Sequence, residues 1–215
     1  MPATVVTIGC RLYRLAALVA LMTTLGAGAG SATGSAESPQ HFIDRVASRA
    51  IQVFAASDAS KEAKTRQFAE LLTEGFDMTS IAKFCLGRFW RAATPAQQTE
   101  YLQLFEEMIV NTYAGRFAQY SGETYRIKGA RSEPDGDVTV VTEIVRPGSG
   151  VAIKVDWRAR PQPDGNNRII DVSVEEISML ITLRSEIASI VQRGGGSIDG
   201  LLVVLRERVA QAQIR

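Results

Sequence analysis

The 215-residue sequence predicts an α+β domain, with about six helices segregated from a four-stranded antiparallel meander sheet. Three observations carry this expectation. Apolar residues recur at spacings of three and four up to about residue 120, alternate between Tyr125 and Val174, and return to helical spacing after Ser178. The stretch from Phe76 to Tyr120 organises the rest. It holds Phe76, Phe84, Phe89, Trp90, Phe105, Tyr113 and Phe117, and it contains the clearest helix start in the chain. Thr94-Pro95-Ala96-Gln97 reads as a capping box with proline at the first helical position. Beyond it Tyr101, Phe105, Met108, Ile109, Thr112, Tyr113, Phe117 and Tyr120 share one face of a long helix, opposite Glu100, Glu106, Glu107, Asn111 and Arg116.

In chain order, residues 1–36 read as a cleaved secretory signal, leaving 37–215 as one domain. Arg11 and Arg14 form its positive region, Leu15 to Leu25 its apolar run, and Gly34-Ser35-Ala36 the preferred cleavage site. The run is too short for a comfortable membrane span. Removing the segment takes two arginines and no acids from 24 basic and 23 acidic residues, so the remainder carries a net charge of −1. That argues against nucleic acid as a partner. Of the two cysteines only Cys85 remains, which excludes an internal disulfide.

Ser38-Pro39 starts a first helix with Phe42, Val46, Ala50, Val53 and Phe54 on one face. Ser60 caps a second, ending at Gly75, and Asp77 a third, ending at Gly87. After the long fourth helix come strands through Tyr125 and Ile127, then Val138 to Ile144, then Val151 to Trp157, then Ile170 to Val174. Helices from Ser178 to Val191 and from Ser197 to about Ala210 close the chain, joined by Gly194-Gly195-Gly196. That glycine joint reads either as a turn or as a hinge on which the last helix swings over a cavity.

Catalytic signals are sparse. His41, the single histidine, sits in a first helical turn, and neither GxxxxGK nor GxGxxG occurs, so no cofactor, metal or catalytic residue is expected. Asp77, Asp171 and Glu176 are the acids that an apolar pocket could use; a capping role for Asp77 and wetted positions for the others compete with that reading.

The stretch FDMTSIAKFCLGRFWRAATPAQQTEYLQLFEEMIVNTYAGRF, with its LGRFWR run and TPAQQ cap, resembles the MlaC (toluene-tolerance) family of periplasmic phospholipid carriers. So do Asp171-Val172 at a strand end and VEEISMLITLRSEI. The resemblance runs from about Phe42 to Arg208 and looks closest to hopanoid-associated, HpnM-like members. Three positions depart from the family pattern: Glu176 for glycine, Ile187 for an aromatic residue, and Asn167 near a usual tryptophan.

The resemblance implies a nuclear-transport-factor-like fold enclosing a cavity for acyl chains, and no enzymatic activity. It also implies a periplasmic shuttle that maintains outer-membrane lipid asymmetry. Its partners would be an outer-membrane lipoprotein complex and an inner-membrane ABC transporter with an MCE-domain subunit. On this reading the lipid lies between Phe84, Phe105, Tyr113 and Phe117 on the helices and Val140, Ile144, Ile153, Val155 and Val172 on the sheet. Arg88 and Arg91, beside Trp90, are expected to dock partners. The competing reading is a small pocket enzyme or binding protein for a hopanoid- or isoprenoid-like ligand.

Overall fold

Every helix longer than a single turn begins where a short polar side chain takes up a free backbone donor. In the computed structural model, which describes residues 37–213 apart from 57, 118–121 and 149, Ser38 accepts from the His41 amide at 3.2 Å and opens α1 (Pro39–Ala55). Ser60 accepts from the Ala63 amide and opens α2 (Lys61–Gly75), and Asp77 accepts from the Ser80 amide and opens α3 (Met78–Leu86). A one-turn α4 (Phe89–Ala92) leads to the predicted box: the Thr94 amide donates to Gln97 Oε1 at 2.9 Å, and the Gln97 amide to Thr94 Oγ1 at 3.3 Å. There α5 (Pro95–Phe117) begins. The proposed signal segment and Tyr120 lie outside the described residues, as does the Phe117 side chain.

The strands β1 (Thr124–Ser132), β2 (Val138–Val145), β3 (Ala152–Pro161), β4 (Asn167–Val174) and β5 (Ile177–Ser178) form one open antiparallel sheet in chain order. The chain ends in α6 (Met179–Arg193) and α7 (Ile198–Gln213). Among the described residues there are thus seven helices and five strands, not six and four. The additions are a single turn and a two-residue strand, both too short to show a period. Among them, too, no helix is long and apolar enough to cross a membrane.

Two bulges bend the sheet. Lys128 is the extra residue opposite Thr142 and Val141, and Ile170 the extra residue opposite Arg158 and Ala159. Because of the second, Ile169 and Ile170 are both buried, where strict alternation would expose one of them. α1, α2, α3 and α6 cover the inner face. α5 is a central strut against α2, α3 and α7, with Tyr101 and Phe105 fully buried and Tyr101 Oη donating to the Ala82 carbonyl at 3.0 Å.

The α6–α7 joint is a packed turn. Gly195 and Gly196 stand at φ +78° and +73°, and the Gly196 amide donates to the Val191 carbonyl at 2.8 Å. A Cβ on Gly194 would lie 2.9 Å from the Gly200 carbonyl carbon, so the two backbones touch where side chains would not fit. α7 buries Ile198, Leu201, Leu202, Leu205 and Val209 and packs on α5 and α6.

Candidate functional site

Between the inner sheet face and α1, α2, α5 and α6 lies an apolar cavity of about 320 Å³. The sheet contributes Ile144, Val155, Trp157, Ile170, Val172 and Val174; the helices contribute Ala47, Ala50, Phe68, Leu71, Leu72, Ile109, Tyr113 and Leu183, among others. The strand pleat places the sheet residues there. Thr142 faces Val155 and Val140 faces Trp157 across β2 and β3, so one set of alternate side chains points inward. Polar atoms at this wall are satisfied within it. Trp157 Nε1 donates to Thr142 Oγ1 at 3.0 Å, and that hydroxyl donates to the Val155 carbonyl at 3.0 Å, which leaves the carbon face of the indole toward the cavity.

Asp171 is the single charged residue among the described lining residues, and its oxygens are engaged. Oδ1 accepts from the Leu180 amide at 2.9 Å and Oδ2 from Ser178 Oγ at 2.6 Å, fixing the first turn of α6. The other two acids considered from the sequence stand elsewhere. Asp77 caps α3, and Glu176 projects from the β4–β5 turn with its side chain 83% exposed. Glu175 and Glu176 form that two-residue turn at φ +48° and +69°. Glycine adopts such angles without strain, whereas two acidic residues hold them here. Burial pushes the Cys85 thiol up to about 12, so this buried cysteine is a small core side chain with almost no thiolate.

The nine residues placed by the sequence around a lipid separate into groups. Tyr113, Ile144, Val155 and Val172 line the cavity together. Phe105 and Val140 have no exposed surface and belong to the close-packed core; they are not among the lining residues. Ile153 pairs with Ile144 but is not among them either. Phe84 lies outside, 38% exposed, under the Arg184 guanidinium at 4.5 Å from its ring centroid. The Phe117 side chain lies outside the described residues.

Arg88 and Arg91 are exposed at α4, with the Arg88 guanidinium over the Phe89 ring at 4.9 Å. α7, which on the hinge reading of the glycine joint would swing over the cavity, contributes none of its described lining. Sequence reasoning missed Ala47 and Ala50. Their signal is small volume inside an otherwise bulky stripe: they face the cavity because they leave room.

A sequence model of the family described as MlaC protein matches residues 42–207. The fold is similar to that of a phospholipid-binding protein from Ralstonia solanacearum, solved in complex with a phospholipid. The TM-score is 0.72 at 22% identity, over 82% of this chain and 99% of that one. Matched over most of its length, the chain belongs to the MlaC protein family.

Proposed function

We propose that the protein is a non-enzymatic lipid carrier that takes acyl chains of a phospholipid into the cavity between sheet and helices. The observation that carries this reading is the cavity's chemistry. Its described lining is aliphatic, aromatic and methionine side chains with Asp171 as the one charged group, and that carboxylate is committed to a helix cap. Membership of the MlaC protein family and the phospholipid bound in a protein of similar fold support it.

The thermodynamics suit a shuttle. Each buried methylene is worth about 0.8 kcal/mol, so two tails of roughly 30 methylenes cost more than about 20 kcal/mol in water. A tail leaving a bilayer for this cavity exchanges one hydrocarbon environment for another, and loading stays nearly balanced.

The finer reading follows from the family resemblance. Residues 1–36 direct export and are removed, and the domain adopts a nuclear-transport-factor-like arrangement. The loaded carrier crosses the periplasm between an outer-membrane lipoprotein complex and an inner-membrane ABC transporter with an MCE-domain subunit. Arg88 and Arg91 form part of the surface those partners meet.

Native mass spectrometry of protein from a periplasmic fraction, followed by lipid extraction, tests this. One phospholipid per chain is expected. Protein that carries no lipid, or that converts an added lipid to product, would refute a carrier; a polycyclic lipid in place of phospholipid would refute the ligand assignment.

A further inference from the structure

A second concavity, an open cleft of about 680 Å³, lies between the start of α2, the second half of α5 and the end of α7. Its floor is apolar, with Phe54 and Met108. Its charged lining, among the described residues, is entirely cationic: Lys61, Lys64 and Arg208. Arg208 is paired with Glu186 at 2.5 Å, so the two lysines supply the net charge. Lys64 Nζ is held toward the floor by the Phe54 carbonyl at 3.3 Å. Both lysines stand in the first turn of α2, where the helix dipole adds positive potential.

This cleft shares a wall with the apolar cavity. Phe54 lines the cleft and Phe68 the cavity, and their rings touch at 5.6 Å between centroids. Along α5, Met108 and Thr112 face the cleft while their neighbours Ile109 and Tyr113 face the cavity. The cavity alone sits at the floor of the range of pockets that hold drug-sized ligands, about 300–1,000 Å³, and a two-tailed lipid is larger than most of those. The cavity also comes to the surface near Val174, where Glu175 accepts from the Lys154 amide and Glu176 pairs with Lys154 Nζ at 3.5 Å, so that rim offers, among the described residues, no unpaired cation to a phosphate.

Resting on the lipid-carrier reading, we propose that the lysine-edged cleft is the headgroup compartment for an anionic phospholipid. The phosphate lies against Lys61 and Lys64, and the acyl chains reach the apolar cavity past the Phe54–Phe68 pair. The cleft is open, so the phosphate keeps part of its hydration and escapes the cost of full burial. The lysine contacts are charge-assisted but exposed, so they confer selectivity more than affinity.

The test uses delipidated protein and vesicles of phosphatidylcholine and phosphatidylglycerol with identical chains, with recovered lipid counted by class. Wild type should be enriched in phosphatidylglycerol by about three- to tenfold over the vesicle, and the enrichment should shrink as salt is raised. Lys61→Glu with Lys64→Glu should abolish the enrichment, and the milder Lys61→Gln with Lys64→Gln should fall between. Equal uptake of the two lipids by wild type, or enrichment that survives the double glutamate change, overturns the headgroup assignment and leaves the carrier reading intact. Inorganic phosphate that binds delipidated protein at these lysines while wild type takes up the two lipids equally would assign the cleft to free anions and overturn it as well. Uptake of neither lipid by wild type would instead sink the carrier reading.

Discussion

Ala50→Leu separates a cavity from a core by the sign of one number. Ala50 is partly buried on α1 and lines the cavity. Leucine adds three carbons, worth about 2.4 kcal/mol at 0.8 kcal/mol each. Fixing its rotamer costs about 0.5–1 kcal/mol, and leucine and alanine differ little as helix formers. With about 320 Å³ available, the delipidated variant should gain about 1.5–2 kcal/mol. For a domain of this size that raises Tm by about 3–8 °C in calorimetry. The same change in a solid core overpacks it and costs about 1–3 kcal/mol. Lipid load measured alongside should fall as the cavity narrows. A lowered Tm with lipid load unchanged would refute both the cavity and its occupant.

Three further outcomes are expected. Asp137 accepts from Arg160 Nε and Arg158 Nε, each at 2.8 Å; burial would raise its carboxyl, but the two guanidiniums outweigh burial and hold it below the ordinary 3.8. A depressed native value contributes stability above the unfolded value that is lost as pH falls through the native one. Urea midpoints should therefore hold from pH 7 to about pH 5 and drop below about pH 4, with a flatter drop in Asp137→Asn. Gly200→Ala drives a Cβ into the Gly194 backbone and should cost about 1–3 kcal/mol in urea unfolding, whereas Val203→Ala, at an exposed site on the same helix, should cost under about 0.5 kcal/mol. If the proposed shuttle docks through α4, Arg88→Ala with Arg91→Ala should weaken pull-down of an MCE-domain subunit while leaving lipid load unchanged; undiminished pull-down would remove both arginines from the proposed docking surface.

What was legible in the sequence was whatever a local rule governs. The caps at Ser38, Ser60, Asp77 and Thr94 form as hydrogen bonds because each needs only a side chain and an amide three residues on. The bulge at Ile170 was not legible, since it arises from the pairing of β4 with β3 across a turn. The site was legible only in part for a similar reason. Phe105 and Val155 are both apolar and both buried, yet only Val155 meets empty space. Whether a side chain meets a neighbour or a void depends on the volumes opposite it, here Ala47 and Ala50. The glycine joint reads as hinge or turn until Gly194 and Gly200 are seen to touch.

The central claim is that acyl chains occupy the apolar cavity, and Trp157 in its wall reports on it. The chain has two tryptophans, and Trp90 sits on α4, outside the cavity lining, with Lys83 Nζ 5.1 Å from its ring centroid. In a Trp90→Phe variant Trp157 is the only emitter, and phospholipid brominated along its acyl chains quenches an indole it touches. The account predicts strong quenching on loading with brominated lipid and none with the same lipid unbrominated. Lipid that co-elutes with the protein while Trp157 emission stays unchanged would contradict it.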